Sequence, residues 1–157
     1  MQQKILKFIL SVLICELAGF VGSFFTAPAI NTWYALLKKP AFNPPNWLFA
    51  PVWTTLFLLI GISLYLIWVK FEKDEKIKEA ILAFALQFIL NILWSVAFFG
   101  LQFPLYGFII IVLLWFAISF TILKFYPISK TAAYLFLPYL FWVSFATILN
   151  FSIVILN

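Results

Sequence analysis

The sequence predicts an all-α polytopic membrane protein, a bundle of five transmembrane helices with a structured first loop. Three observations carry that expectation. Hydrophobic residues make up 66% of the 157-residue chain and charged residues only 10%, against about 45–50% and about 25% in soluble domains. Mean hydropathy is +1.14. The apolar residues fall in continuous runs long enough for a membrane helix, which needs roughly 20 of them, rather than in the short alternating segments of a β-barrel. The same composition excludes disorder. Cys15, the sole cysteine, excludes a disulfide scaffold.

The spans form one transmembrane domain over residues 1–157. The first, residues 5–27, is apolar apart from Lys7 near its edge and Glu16 near its middle. Its start has the look of a signal peptide. No small-x-small cleavage site follows, however, and Glu16 interrupts the apolar core, so a retained helix is expected. Residues 26–46 carry Pro28, Asn31, Lys38, Lys39, Pro40, Asn43, Pro44 and Pro45 and read as a structured loop. The second span is 47–69, which Pro51 either opens or kinks. Residues 70–79 are a charged loop of alternating sign. Residues 80–123 hold no charge and are too long for one helix. A helix-stopping Gly100 and a Pro104 start divide them into spans 79–100 and 104–124. Pro127 and Ser129 precede the fifth span, 131–155, where Pro138 is tolerable because neighbouring helices re-satisfy the freed carbonyl.

Orientation follows from lysine asymmetry. Lys4, Lys7, Lys70, Lys73, Lys76, Lys78, Lys124 and Lys130 belong to one side, and only Lys38 and Lys39 to the other. The N-terminus is therefore expected in the cytoplasm, with the long first loop outside. The odd span count and lack of a repeat argue against a two-halved transporter. With no histidine and only Met1 and Cys15 as sulfur residues, zinc sites, Ser-His-Asp triads and a His-ligated haem iron lack their groups. No metal and no required cofactor are expected. The chain has no arginine, the side chain suited to bidentate phosphate capture, so no nucleic-acid partner is expected either.

Polar and small residues inside the spans are informative because lipid-facing surface needs neither. Gly19, Gly22 and Thr26 share a narrow stripe on the first helix, which lets another backbone approach. Gln87, Asn91, Trp94 and Phe98 share a face of the third. The two amides there serve either as interhelical glue or, for Asn91, as a hydrogen bond to a ligand walled by Trp94. Tyr139, Trp142, Ala146 and Leu149 align on the fifth, where Ala146 beside an indole leaves a recess for a flat molecule. Trp53 and Phe57 lie one turn apart below the proline-rich loop, and Trp53 fits either that recess or an interfacial belt. Trp33, Trp47, Trp68 and Trp115 fit the belts. Glu16, on the flank of the glycine stripe, should face the bundle, held neutral or hydrogen-bonded. Ala80, Ala83 and Ala85 would permit close packing against a second copy.

These residues form a pattern that resembles the TspO/translocator protein family. The matching stretches are GFVGSFFT at 19–26, NTWYALLKKPAFNPPNW at 31–47, FAPVWT at 49–54, QFILNILWSVAFFG at 87–100 and PYLFWVSFATILN at 138–150. They touch the first, second, third and fifth spans in order. The resemblance implies a homodimeric five-helix bundle in a bacterial cell membrane, with the first loop covering a cavity. It implies binding of tetrapyrroles such as protoporphyrin IX and of isoquinoline carboxamide drugs, at positions that fall here on Trp33, Tyr34, Trp53, Phe57, Asn91, Trp94, Trp142 and Ala146. Such a protein senses, sequesters or promotes light- and oxygen-dependent degradation of porphyrins, with Trp53 and Trp142 in the photo-oxidative role. Porphyrin transport and a ligand-gated interaction module are the alternatives. Phe57 stands where many relatives carry Tyr. The sterol motif of animal members, with its Tyr and Arg after Leu-Asn, is not matched by LNFSIVILN at 149–157.

Overall fold

A computed structural model describes residues 2–70 and 75–157. The Lys73 used for orientation lies outside the described residues. Among the described residues there are seven α-helices: α1 (Gln2–Ile30), α2 (Trp33–Leu36), α3 (Phe49–Trp68), α4 (Glu75–Ser95), α5 (Pro104–Phe125), α6 (Lys130–Leu135) and α7 (Leu137–Leu156), of which α2 lies in the first loop and the other six form five spans. A 3-10 turn, Asn46–Leu48, leads into α3, and one π-helical turn, Val96–Gly100, prolongs α4. Five helical stretches are long and apolar enough to cross a membrane: Gln2–Ile30, Asn46–Trp68, Glu75–Gly100, Pro104–Phe125 and Lys130–Leu156. Their number, among the described residues, is the five expected, and their ends differ from the expected bounds by a few residues.

The ends that moved do so for local reasons. The first helix runs past residue 27 to Ile30 and takes Pro28 into its last turn. The Thr32 hydroxyl then donates to the Pro28 carbonyl at 2.7 Å, closing the end. Pro51 is the third residue of α3, where no intrahelical partner awaits an N–H, so it opens the span instead of kinking it. At the hairpin between the third and fourth spans the left-handed residue is Gln102, at φ 56°, and not Gly100. A Cβ on Gly100 would stand 2.8 Å from the Phe25 ring, so its smallness serves a contact with α1. The fifth span is two helices and not one. The break falls at Phe136, with Pro138 in the first turn of α7.

The spans close into a ring in the order first, second, fifth, fourth, third, with α1 packed on both α3 and α4. At Gly61 on α3 a Cβ would come within 2.8 Å of the Val12 Cα, so glycine is what lets α1 and α3 touch backbone to backbone. Toward the lysine-rich end the centre is filled by Phe84, Phe125 and Phe136, all buried. Ser63 donates to the Ala132 carbonyl at 2.7 Å, tying α3 to α6. Ala80 and Ala83 are buried inside this packing, which corrects their expected use against a second copy. Of that trio only Ala85 is exposed. Lys7, Lys70, Lys124 and Lys130 gather at this end. Lys7 and Lys70 donate to the Trp68 and Ile128 carbonyls, and Lys124 pairs with Glu79 at 2.6 Å.

At the opposite end the first loop is a built cap. The Tyr34 hydroxyl donates to Asn43 Oδ1 at 2.6 Å, and Lys39 Nζ donates to the Tyr34, Ala35 and Leu37 carbonyls at 2.7–3.2 Å. The Asn157 side chain takes the Lys38 N–H and gives a hydrogen to its carbonyl, both at 3.0 Å. Loop, proline run and end of α7 are thus one body.

Candidate functional site

Between α1, the start of α3 and the end of α4 lies a cavity of about 500 Å³, opening sideways between helices. That volume lies within the range of small-ligand sites, about 300–1,000 Å³. The cavity exists because the α1 face that borders it is made mostly of small residues. Gly19, Gly22, Ser23, Thr26 and Ala27 leave the space that Leu or Phe would fill. Trp53 and Phe57 of α3 and Trp94 and Phe99 of α4 supply flat apolar walls. Trp53 stacks on Phe57 with ring centroids 5.6 Å apart and lies 5.7 Å from Trp94. A Cβ on Gly19 would stand 2.6 Å from the Phe57 ring, so this glycine seats a side chain and not the expected backbone.

The polar groups in the wall are mostly fixed by one another. Asn91 Nδ2 donates to the Tyr139 hydroxyl at 2.7 Å, and Trp94 Nε1 donates to Asn150 Oδ1 at 3.1 Å. Asn91 is therefore both glue and lining: one end ties α4 to α7 while the residue borders the cavity. Ser95 donates to the Gly22 carbonyl at 3.0 Å and meets the Thr26 hydroxyl at 3.1 Å, which clamps α4 to α1 at the cavity wall. Glu16 borders the same cavity, half-buried. It has neither hydrogen bond nor ion pair among the described residues, so the hydrogen-bonded alternative for Glu16 does not hold.

A second recess, of about 20 Å³, lies behind the first and shares Phe49, Trp53, Trp94 and Phe99 with it. Trp142 and Ala146 line this small recess and not the large cavity, and Tyr34 reaches it from the cap. Trp53 thus stands between the two. The Trp142 Nε1 hydrogen is buried with no protein partner among the described residues. Burial pushes the Tyr34 phenol up to about 12. Trp33 borders neither space. It packs edge-on against Phe98 at 5.5 Å, and Phe98 backs Trp94. Four of the eight expected positions, Trp53, Phe57, Asn91 and Trp94, therefore meet in one cavity. Tyr34, Trp142 and Ala146 border its small annex, and Trp33 supports from behind.

One further expectation about tryptophan changes. Trp115 sits halfway along α5 and donates to Ser144 Oγ at 2.8 Å, tying α5 to α7, so it is no interfacial anchor. Trp47, 72% exposed beside the cap, and Trp68 at the lysine-rich end lie at opposite ends of the bundle. Phe49 and Ser95 belong to the site and were not singled out from the sequence. Ser95 lies one turn beyond Asn91 on the amide-bearing face, which was the available signal.

The fold and cavity define a multi-pass α-helical membrane protein with a ligand-sized aromatic chamber beneath a tethered loop. The chain belongs to the TspO/MBR family, whose model matches residues 11–156. It is 51% identical to the tryptophan-rich protein TspO of Archaeoglobus fulgidus, over 98% of this chain and 99% of that one. It is 37% identical to protein CrtK of Rhodobacter capsulatus, over 91% and 88% of the two chains. The translocator protein of Bos taurus is 35% identical, over 88% and 83%.

Proposed function

We propose that the protein is a membrane receptor for tetrapyrroles, protoporphyrin IX above all, and that it senses or sequesters them. The observation that supports this most is the cavity wall. Trp53, Phe57 and Trp94 present flat faces to one space of about 500 Å³, bordered by small residues on the opposite helix. Aromatic contacts contribute about 0.5–1.5 kcal/mol each beyond area burial, and a planar pigment collects several at once. The sideways opening suits a ligand that partitions into lipid. Isoquinoline carboxamide drugs, also flat and apolar, are expected to compete. Homodimeric assembly belongs to the same reading.

The test is quenching of tryptophan fluorescence by protoporphyrin IX in the purified protein. Saturable quenching above a detergent-only control is expected, with Asn91→Ala weakening it about fivefold. Linear, non-saturating quenching would overturn the receptor reading. Light-dependent porphyrin degradation is a second reading, favoured by the position of Trp53 between the two recesses. An indole there touches the pigment and lies within van der Waals range of further aromatic rings. Illumination should then yield a new absorbing product that the Trp53→Phe, Trp142→Phe double variant does not form although it still binds.

The lysine distribution supports a cytoplasmic N-terminus. Thiol labelling of Lys38→Cys in intact cells, and of Lys124→Cys only after permeabilisation, is expected. The reverse pattern would invert the topology.

A further inference from the structure

The porphyrin reading leaves one group in the cavity without a task. Glu16 is the acidic residue of α1, and it borders the chamber at the end farthest from the loop. Gly19, Ser23, Ala27 and Ile30 continue its face of the helix at helical spacing and border the same space. At 1.5 Å per residue, Glu16 and Ile30 are about 21 Å apart along the axis. The chamber is therefore elongated, with the cap above it and a carboxyl near the middle of the membrane.

We propose that Glu16 makes this chamber selective for ligands that carry a protonated amine, or a comparable N–H donor, on a flat aromatic body. An ionisable side chain at hydrocarbon depth is costly and pairs with something. Within the described residues Glu16 has no such partner. The neighbouring elements offer none either. α3 presents Trp53, Thr54 and Phe57 and α4 presents Asn91, Trp94 and Ser95, all uncharged; one Asn91 N–H is given to Tyr139 and the Ser95 hydroxyl to Gly22, and none of the six hydrogen-bonds Glu16. The adjacent Cys15 is fully buried. In the empty chamber the carboxyl is neutral, and it ionises against a donor that the occupant supplies.

Discrimination follows from the low dielectric. An ammonium taken out of water is repaid only when an acceptor of opposite charge is in contact, and here one is in place beside aromatic walls that also favour cations. An isostere ending in a methyl ester gains nothing from the carboxyl. One ending in a carboxylate at that end is repelled, which is how a site rejects near relatives. A dicarboxylic porphyrin is thereby oriented with its acid edge toward the cap. This inference rests on the receptor reading only in using the same cavity.

The experiment compares two probes that share a fluorophore, N-dansyl-1,6-hexanediamine and N-hexyl dansylamide, each titrated by energy transfer from tryptophan into the full-length protein in nanodiscs. Empty nanodiscs correct for partitioning. The wild type should bind the amine at least tenfold more tightly than the alkyl analogue. Glu16→Gln should cut the amine's affinity about tenfold and leave the analogue within about twofold, while Glu16→Asp should keep the preference. Equal affinities in the wild type, absence of binding by both probes, or an unchanged preference in Glu16→Gln would each overturn the proposal. Protoporphyrin IX is titrated alongside. Selective amine binding without saturable porphyrin quenching would sink the tetrapyrrole reading and leave Glu16 in its role. Porphyrin binding with no amine preference would do the opposite.

Discussion

The amide nitrogen of Asn91 donates to the hydroxyl of Tyr139 across 2.7 Å, joining α4 to α7 at the cavity wall. Tyr139 is 1% exposed, so neither water nor lipid substitutes for it. Tyr139→Phe leaves the Asn91 N–H unpaired at a cost of about 1–2 kcal/mol. The expected result is a lower melting temperature in detergent. Because the freed N–H can turn toward a ligand, affinity for a carbonyl-bearing isoquinoline carboxamide should hold or rise.

Three glycines predict a graded series. Gly→Ala in a helix gains about 0.8–1 kcal/mol in propensity, against an overpacking cost of about 1–3 kcal/mol. At Gly22 the new Cβ would meet Ser95 Oγ at 3.5 Å, an ordinary contact, so stability should hold or rise. At Gly19 it meets the Phe57 ring at 2.6 Å, and the ring must move into the cavity. A modest loss of stability and a larger loss of porphyrin affinity are expected. At Gly61 it meets the Val12 backbone at 2.8 Å, which has no rotamer to escape by. Gly61→Ala should have the lowest melting temperature of the three.

Trp53 and Trp142 should separate in binding. Trp53 borders the large cavity and Trp142 only the small recess. Exchanging the indole for a smaller ring gives up stacking area worth about 1 kcal/mol, so Trp53→Phe should weaken protoporphyrin IX binding about fivefold while Trp142→Phe stays within twofold. Titrating both variants by the porphyrin absorption band checks this. Equal losses would mean that the ligand fills both recesses together.

The cap should loosen in alkali. The Tyr34 phenol is pushed up to about 12 by burial, above the ordinary value near 10 of an unfolded chain. The folded cap therefore holds its proton more tightly. Its contribution to stability is complete below pH 10 and is lost as pH rises toward 12. Melting temperature should fall across that window, and less so in Tyr34→Phe, which lacks both the titration and the Asn43 hydrogen bond.

Asn157 offers a separate handle on the same cap. Its side chain grips both backbone groups of Lys38. Asn157→Ala should speed hydrogen exchange at the Lys38 amide while leaving α3 and α4 protected.

Much of the molecule was legible from one dimension because a bilayer imposes one-dimensional rules. Span length, the charge breaks and the lysine asymmetry all follow from hydrocarbon thickness and from the cost of charge within it. Trp53, Phe57, Asn91 and Trp94 stood out as bulky or polar residues at helical spacing, and they do border one chamber. Spacing along a helix tells which residues share a face. It does not tell how far a facing helix stands or how it is rotated. Only the ring order of the spans and the close contacts at Gly61 and Gly19 decided that Trp142 and Ala146 fall into a small annex, that Trp33 backs Phe98, and that Trp115 ties α5 to α7. The same contacts decided that Glu16 borders the chamber without a partner among the described residues. Composition selects the solvent and hence the fold class, whereas a cavity is a residue of packing, set where small side chains on one helix meet large ones on another.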